Sequence, residues 1–176
     1  MGSIGIELTT TVTILEMVLY DEGFISGSPD RVWSVLEDVE LMPLWNHKCV
    51  ACDARGTKAY NGLRFSATFK MSGPASRASC EVVALDPRIR ITFRYILEST
   101  HKGRHVDETF HLDALENGKQ VRLRHELCIS NAPIPFWLKC LAWIMSRIGE
   151  KRGLSSIDGI RNLVEGAPDS LPSILT

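Results

Sequence analysis

From Leu63 to Ile129 the chain alternates between apolar and polar residues, again and again. Leu63, Phe65, Ala67, Phe69 and Met71 alternate with Arg64, Ser66, Thr68 and Lys70. Ile89, Ile91, Phe93, Tyr95 and Leu97 alternate with Arg90, Thr92, Arg94 and Glu98. A period of two is the mark of a strand with one face buried. Further strands are read at Arg77 to Leu85, Val106 to Asp113 and Gln120 to Ile129. Gly73-Pro74, Asp86-Pro87 and Asn117-Gly118 supply the turns between them. No helical pattern interrupts the series. Consecutive strands joined by short turns can only pair as an antiparallel meander, and that excludes parallel α/β folds.

Helical patterns stand on either side of the strands. Thr11 to Ile25 suits a first strand. Ser28 is placed to cap a helix, with Pro29 in its first turn, Asp30 near the positive end of its dipole and Val32, Val35, Leu36 and Val39 as its apolar stripe. Pro43 allows a second short helix, anchored by Leu44 and Trp45. At the other end, Pro133 to Glu165 is read as one long helix. Leu138, Leu141, Met145, Ile148, Gly149, Ser156, Ile160 and Leu163 form its inner stripe. Phe136, Cys140 and Trp143 fall on its outer side, and Gly149 and Gly153 stand one turn apart. The fold expected is α+β: a curved antiparallel sheet of about seven strands wrapped around a long C-terminal helix, with two short helices after strand 1. A helix alone cannot fill such a concavity, so a cavity is expected between helix and sheet. Residues 1–10 read as a flexible leader, 11–165 as a single domain and 166–176 as a tail.

Charge and cysteine usage remove several functions. The net charge of -1 argues against electrostatic binding to nucleic acid or anionic lipid. No Lys or Arg precedes Arg31, and no apolar run is long enough for stable membrane insertion, so a cytoplasmic protein is expected. Five cysteines without a dense framework suggest reduced thiols. Cys49 and Cys52 form a CxxC, but Cys80, Cys128 and Cys140 are isolated and supply no second pair for zinc. The CxxC flanks read as a strand, where i and i+3 point to opposite faces. Buried thiols are therefore favoured over metal or redox chemistry. No P-loop, GxGxxG or nucleophile elbow occurs, and no metal or cofactor is implied.

The hairpin carries the chemistry. Asn117-Gly118 is a strong type I′ signal that pairs Glu116 with Lys119. Counting outward, Leu112 faces Leu123, Phe110 faces His125 and Glu108 faces Leu127. The apolar pattern independently turns Phe110, Leu112, Leu123 and Leu127 inward, so Glu108 and His125 also point inward, as diagonal neighbours roughly 7–8 Å apart. A carboxylate and an imidazole in an apolar interior are costly unless paired. They can form a general acid/base pair, or a satisfied polar pair that only orients a ligand. Tyr95 shares the inward phase and is either a hydrogen-bond donor to a carbonyl oxygen or plain core. Phe65, Phe69, Phe93, Phe110, Leu112, Leu123 and Leu127 are expected to wall the cavity, with Leu141, Met145 and Gly149 from the helix. Arg64, Arg90, Arg94, Arg122 and Arg124 occupy outward phases, and His101 and His105 flank an exposed turn. Phe136 and Trp143 could gate the mouth, form a homodimer contact, touch a membrane carrier or be buried against the tail.

ISGSPDRVWSVLEDVELMPLWN resembles the opening of the START-like, or SRPBCC, superfamily, which has the helix-grip fold of the birch pollen allergen. EVVALDPRIRITFRY, the FHLDALENGKQVRLRHEL hairpin and the last helix are similar to its polyketide cyclase/dehydrase branch. The resemblance covers roughly residues 12 to 165. It implies a hydrophobic small-molecule ligand and, in that branch, a cofactor-independent cyclase, dehydratase or isomerase acting on a carbonyl-containing, polyketide-like substrate in secondary metabolism. The alternative it implies is a non-catalytic carrier or sensor of a lipid or other apolar molecule. An iron-binding oxygenase subunit of the superfamily would need more length and a metal triad. The acting residues differ between branches, so none is carried over by position.

Overall fold

The structure, a computed structural model, describes residues 17–70, 73–98, 104–132, 134–148 and 155–166. The expected leader 1–10, nearly all of the tail, Met71, His101, Gly149 and Gly153 lie outside the described residues, as do the side chains of Met145 and Ile148. Seven antiparallel strands run β1 (Val18–Ser26), β2 (Cys49–Asp53), β3 (Arg64–Phe69), β4 (Ser76–Asp86), β5 (Arg90–Leu97), β6 (Val106–Leu115) and β7 (Gln120–Cys128). Their order is β1-β7-β6-β5-β4-β3-β2, a meander whose first strand returns beside the last. Helices α1 (Pro29–Glu37) and α2 (Met42–Trp45), linked by a 3₁₀ turn at Val39–Leu41, follow β1. After β7 come α3 (Phe136–Ile148) and α4 (Ser156–Glu165).

Local chemistry explains most boundaries. Ser28 caps α1 by accepting from the Arg31 N–H at 3.3 Å. Asn117 (φ 55°, ψ 34°) and Gly118 (φ 82°) adopt the left-handed conformation that a type I′ turn needs, and the Lys119 N–H donates to the Glu116 carbonyl at 3.3 Å. The resulting β6–β7 register pairs Leu112 with Leu123, Phe110 with His125 and Glu108 with Leu127, as the turn and the alternation require. On the outer face, Arg94 grips Asp107 through two bonds of 2.8 Å, while Arg122 and Arg124 share Asp113. These arginines form a solvated face of cross-strand ion pairs, each worth little to stability.

Two expectations need correction. The single helix over Pro133 to Glu165 is two helices. Ser155 and Asp158 form a capping box: the Ser155 hydroxyl accepts from the Asp158 N–H at 3.2 Å, and the Asp158 carboxylate accepts from the Ser155 N–H at 3.1 Å. That box starts a new helix with its own phase. The buried face of α4 is Ile157, Gly159, Ile160 and Val164; of the expected stripe, Ile160 is buried, Ser156 lines the cavity and Leu163 is half-buried against the core. On α3, Leu138 and Leu141 are exposed, whereas Cys140 and Trp143 are half-buried, the reverse of the expected phase. Leu44 is likewise exposed, and Trp45 anchors α2 together with Met42.

The second correction concerns the CxxC. A bulge between Cys49 and Ala51 shifts the β2–β3 register, so Cys49 pairs with Phe69 and Cys52 with Ala67, both inward positions of β3. The two thiols therefore share the inner face instead of opposing one another. Burial pushes the Cys49 thiol up to about 11 and the Cys52 thiol up to about 12. Protonated, buried thiols are inert, and the cysteines act as small hydrophobes.

The core fills only one part of the concavity. Trp45, with no solvent exposure, packs edge-on against Phe110 (5.4 Å) and tilted against Phe93 (6.2 Å). α4 closes over it through Gly159, where a Cβ would stand 2.3 Å from the Trp45 carbonyl oxygen and 2.6 Å from its Cα. Only glycine permits that approach. Gly159→Ala should push α4 off α2 and cost about 3 kcal/mol, read as a Tm lowered by roughly 6–12 °C in thermal denaturation.

Candidate functional site

Beyond the Trp45 core the sheet stays hollow. A cavity of about 430 Å³ lies against the inner faces of β1, β7 and β6. Leu19, Phe69, Val106, Leu127, Ile129 and Ile134 give it an apolar wall. Such a volume suits a drug-sized ligand. Phe69 and Leu127 of the expected wall line this space. Phe65, Phe93, Phe110, Leu112 and Leu123 do not: they are buried in the packed core beneath α1, α2 and α4. Leu141 faces outward at 48% exposure, so α3 does not supply it to the cavity. The common cause is that α2 and α4 fill the inner surface that a single gripping helix would have left open.

Glu108, Tyr95 and His125 line the cavity together. Glu108 is 3% exposed, on β6. The Tyr95 hydroxyl donates to its Oε2 at 2.6 Å, and the His125 Nε2 lies 2.8 Å from its Oε1. Asn46 Nδ2 donates to Oε2 at 3.4 Å and the Ser156 hydroxyl to Oε1 at 3.4 Å. Asn46 is itself oriented by accepting from the Lys48 N–H at 3.1 Å. The His125 ring stacks on Phe110, with centroids 4.7 Å apart.

Burial, the largest influence on the Glu108 carboxyl, pushes its pKa up. The hydrogen bond and charge of His125, the Tyr95 hydrogen bond and the Lys48 charge oppose it and prevail, so Glu108 is held below the usual carboxylate range. An ionised carboxylate only accepts, so His125 Nε2 carries a proton. Burial, and then the neighbouring Glu108 charge, raise the Tyr95 hydroxyl well above its ordinary value. Its proton stays on oxygen and is committed to Glu108.

Asn46 and Asp21 are participants that the sequence reading did not single out, and Ser156, expected on the inner stripe, is brought to Glu108. Asn46 stands 62 positions from Glu108, and no local periodicity relates the two. Asp21 is directly opposite His125 in the β1–β7 register and lines the same cavity. Its signal was its inward phase beside Leu19 and Ile25. The polar row Tyr95–Glu108–His125–Asp21 thus runs diagonally across β5, β6, β7 and β1. His105 is half-buried rather than exposed, held near Asn131 (3.3 Å) and Asp107 (3.9 Å). Among the described residues, no three His, Cys, Asp or Glu side chains are grouped to hold a metal ion.

A seven-stranded antiparallel sheet gripping helices around an apolar cavity defines a START-like helix-grip protein. Residues 20–155 match the family model for polyketide cyclase / dehydrase and lipid transport, and the chain belongs to that family within the START-like (SRPBCC) superfamily. Solved structures agree on the fold. A START superfamily protein from Mycobacterium smegmatis is 15% identical with a TM-score of 0.60, covering 85% of this chain and 97% of its own. Protein CV1439 from Chromobacterium violaceum is 20% identical with a TM-score of 0.59, covering 86% and 98%. Ara h 8.0201 is 13% identical with a TM-score of 0.58, covering 85% and 98%. No curated protein matches the sequence. Family membership supports hydrophobic ligand binding or cyclase chemistry.

The Glu108 geometry has a pH signature. A carboxyl whose folded pKa lies below its unfolded value stabilises the fold above that unfolded value, about 4.5, and the contribution is lost as pH falls through the folded pKa. Tyr95→Phe removes one donor from a buried carboxylate and should cost about 1–3 kcal/mol at neutral pH. Urea denaturation should show the gap between wild type and Tyr95→Phe closing as pH falls through the folded Glu108 pKa.

Proposed function

We propose that the protein is a cofactor-independent cyclase or dehydratase acting on an apolar, carbonyl-rich small molecule, with His125 as its proton carrier. The carrying observation is the 2.8 Å contact between His125 Nε2 and a buried Glu108 whose other oxygen is held by Tyr95. A container for grease has no need of an ionised carboxylate under an imidazole, and burying one is costly. Both Glu108 oxygens are occupied by donors, so Glu108 is a positioning residue rather than the acid or base. With Nε2 donating to Glu108, Nδ1 is the ring nitrogen left to exchange a proton with substrate.

His125 removes a proton alpha to a substrate carbonyl. The resulting enolate carbon attacks a second carbonyl of the same molecule, forming a carbon–carbon bond and an alkoxide. The imidazolium, stabilised by Glu108 and by the nearby Asp21 charge, returns its proton to that alkoxide and gives a β-hydroxy carbonyl. In dehydration His125 then removes a second alpha proton and passes it to the hydroxyl, which leaves as water as the carbon–carbon double bond forms. The apolar wall contributes by holding a flexible chain in a folded, reactive form. Family membership supports the substrate class by analogy, and the site geometry supports the roles.

Proton abstraction can be followed without the natural substrate. Deuterium incorporation alpha to the carbonyl of α-tetralone in D₂O, read by NMR, should be accelerated by wild-type protein. His125→Ala should lose about 10²-fold or more of that acceleration, while still binding an apolar dye. Glu108→Gln should retain part of it with an altered pH profile. Dye binding without accelerated exchange in the wild type would refute the enzyme reading and favour a carrier.

A further inference from the structure

The charges lining the cavity are sorted by sign. At its inner border stand the ionised Glu108 and, on β1, the carboxyl of Asp21. Two cations, Lys48 and Arg104, line the same cavity but are exposed to solvent, so they stand at its mouth. Topology puts both at one end of the sheet. The Lys48 carbonyl accepts from the Lys70 N–H at 2.7 Å, just past the end of β3. Arg104 comes two residues before β6, whose first residue, Val106, pairs with Tyr95 of β5. The His105 N–H donates to the Asn131 carbonyl at 3.1 Å and holds that stretch against the segment after β7.

Both cations are uncommitted. On the outer face the arginines are tied to carboxylates, Arg94 to Asp107 and Arg122 and Arg124 to Asp113. Among the described residues, Lys48 and Arg104 have no such partner. The Lys48 charge is still felt by Glu108, in keeping with its place in the cavity wall. Between the acidic inner border and the basic mouth runs an apolar wall of Leu19, Phe69, Leu127 and Ile129. Such a space suits a ligand with an apolar body and one anionic end, and admits it in one direction. Glu108 repels an anion from the inner border, while Lys48 and Arg104 attract it at the mouth. A carboxylate fits these two side chains: a guanidinium offers it paired N–H donors and an ammonium a point charge.

We propose that the ligand is a free carboxylic acid, its carboxylate held at the mouth by Lys48 and Arg104 and its carbonyl-bearing body turned inward to His125. An ester of the same acid lacks the anchor. This names the substrate class of the site proposed above and rests on that reading, yet the two fail separately. Accelerated proton exchange with no preference for an acid removes the anchor alone. Preference for an acid with no accelerated exchange removes the proton chemistry alone and leaves a carrier of an apolar acid.

The probes are 1-pyrenebutyrate and its methyl ester, one fluorescent body with and without a charge, titrated with the full chain. Exposed ion pairs are individually weak, so wild type should bind the acid about tenfold more tightly than the ester, and by less at about 0.5 M NaCl. Lys48→Met and Arg104→Met should each cut that ratio about threefold, and Lys48→Arg should keep most of it. Both Met variants should stay close to the wild-type Tm, because both side chains are exposed. Arg64→Met, which removes a cation from the outer face, should leave the ratio unchanged. Equal wild-type affinity for the two probes overturns the proposal. A ratio that survives both Lys48→Met and Arg104→Met overturns it too. So does one that Arg64→Met lowers as much, since net charge would then be responsible. Wild type that binds neither probe has the same consequence.

Discussion

One carboxylate ties the inner surface together. Glu108, on β6, accepts from Tyr95 on β5, from His125 on β7, from Asn46 at the end of α2 and from Ser156 at the start of α4. Three neighbouring strands and two helices therefore meet at two oxygen atoms. Such a cluster is favourable only while complete. Removing one donor leaves a charge in a medium that cannot solvate it, which is why breaking a buried pair costs more than forming it contributes. The same completeness holds the imidazole in a single orientation, so the demands of stability and of chemistry coincide at this point.

The half-filled concavity follows from how α2 and α4 seat. Trp45 occupies the space over Phe93 and Phe110, and Gly159 lets α4 come down onto it. Interiors pack to crystal-like density wherever side chains can reach. Beyond Trp45 they no longer reach, and the volume between β1, β7, β6 and the segment after β7 stays open. Glu108 and its partners sit at the border between packed and hollow. There the carboxylate is dry enough to hold its partners tightly, while the His125 side chain keeps 14% of its exposure.

Much of this was legible in the residues. Alternation gave the strands, and Asn117-Gly118 gave the hairpin register, because a turn that needs two left-handed residues admits few sequences. The inward phase of Tyr95, Glu108 and His125 followed from those two facts. The helical region was harder. Ser155–Asp158 was a visible capping box, yet the apolar period ran across it and suggested one helix. Phase on α3 is not legible in the sequence, because nearly every face of it is apolar and periodicity cannot orient a helix without a polar side. The facing of the CxxC depends on a bulge, which adds one residue to the strand and inverts the facing of everything beyond it.

The sequence by itself determined the local and the periodic: strand phase, turn type, the first cap, and hence which polar groups look inward. These depend on backbone sterics and on solvent contrast, which act over a few residues. Only the tertiary structure decided which inward residues wall a cavity and which fill a core. Phe93 and Phe69 carry the same pattern, but Trp45 packs over Phe93, whereas Phe69, edge-on to Tyr95, borders the cavity. Contacts such as Asn46 with Glu108 join positions far apart in the chain, and packing, not local propensity, brings them together.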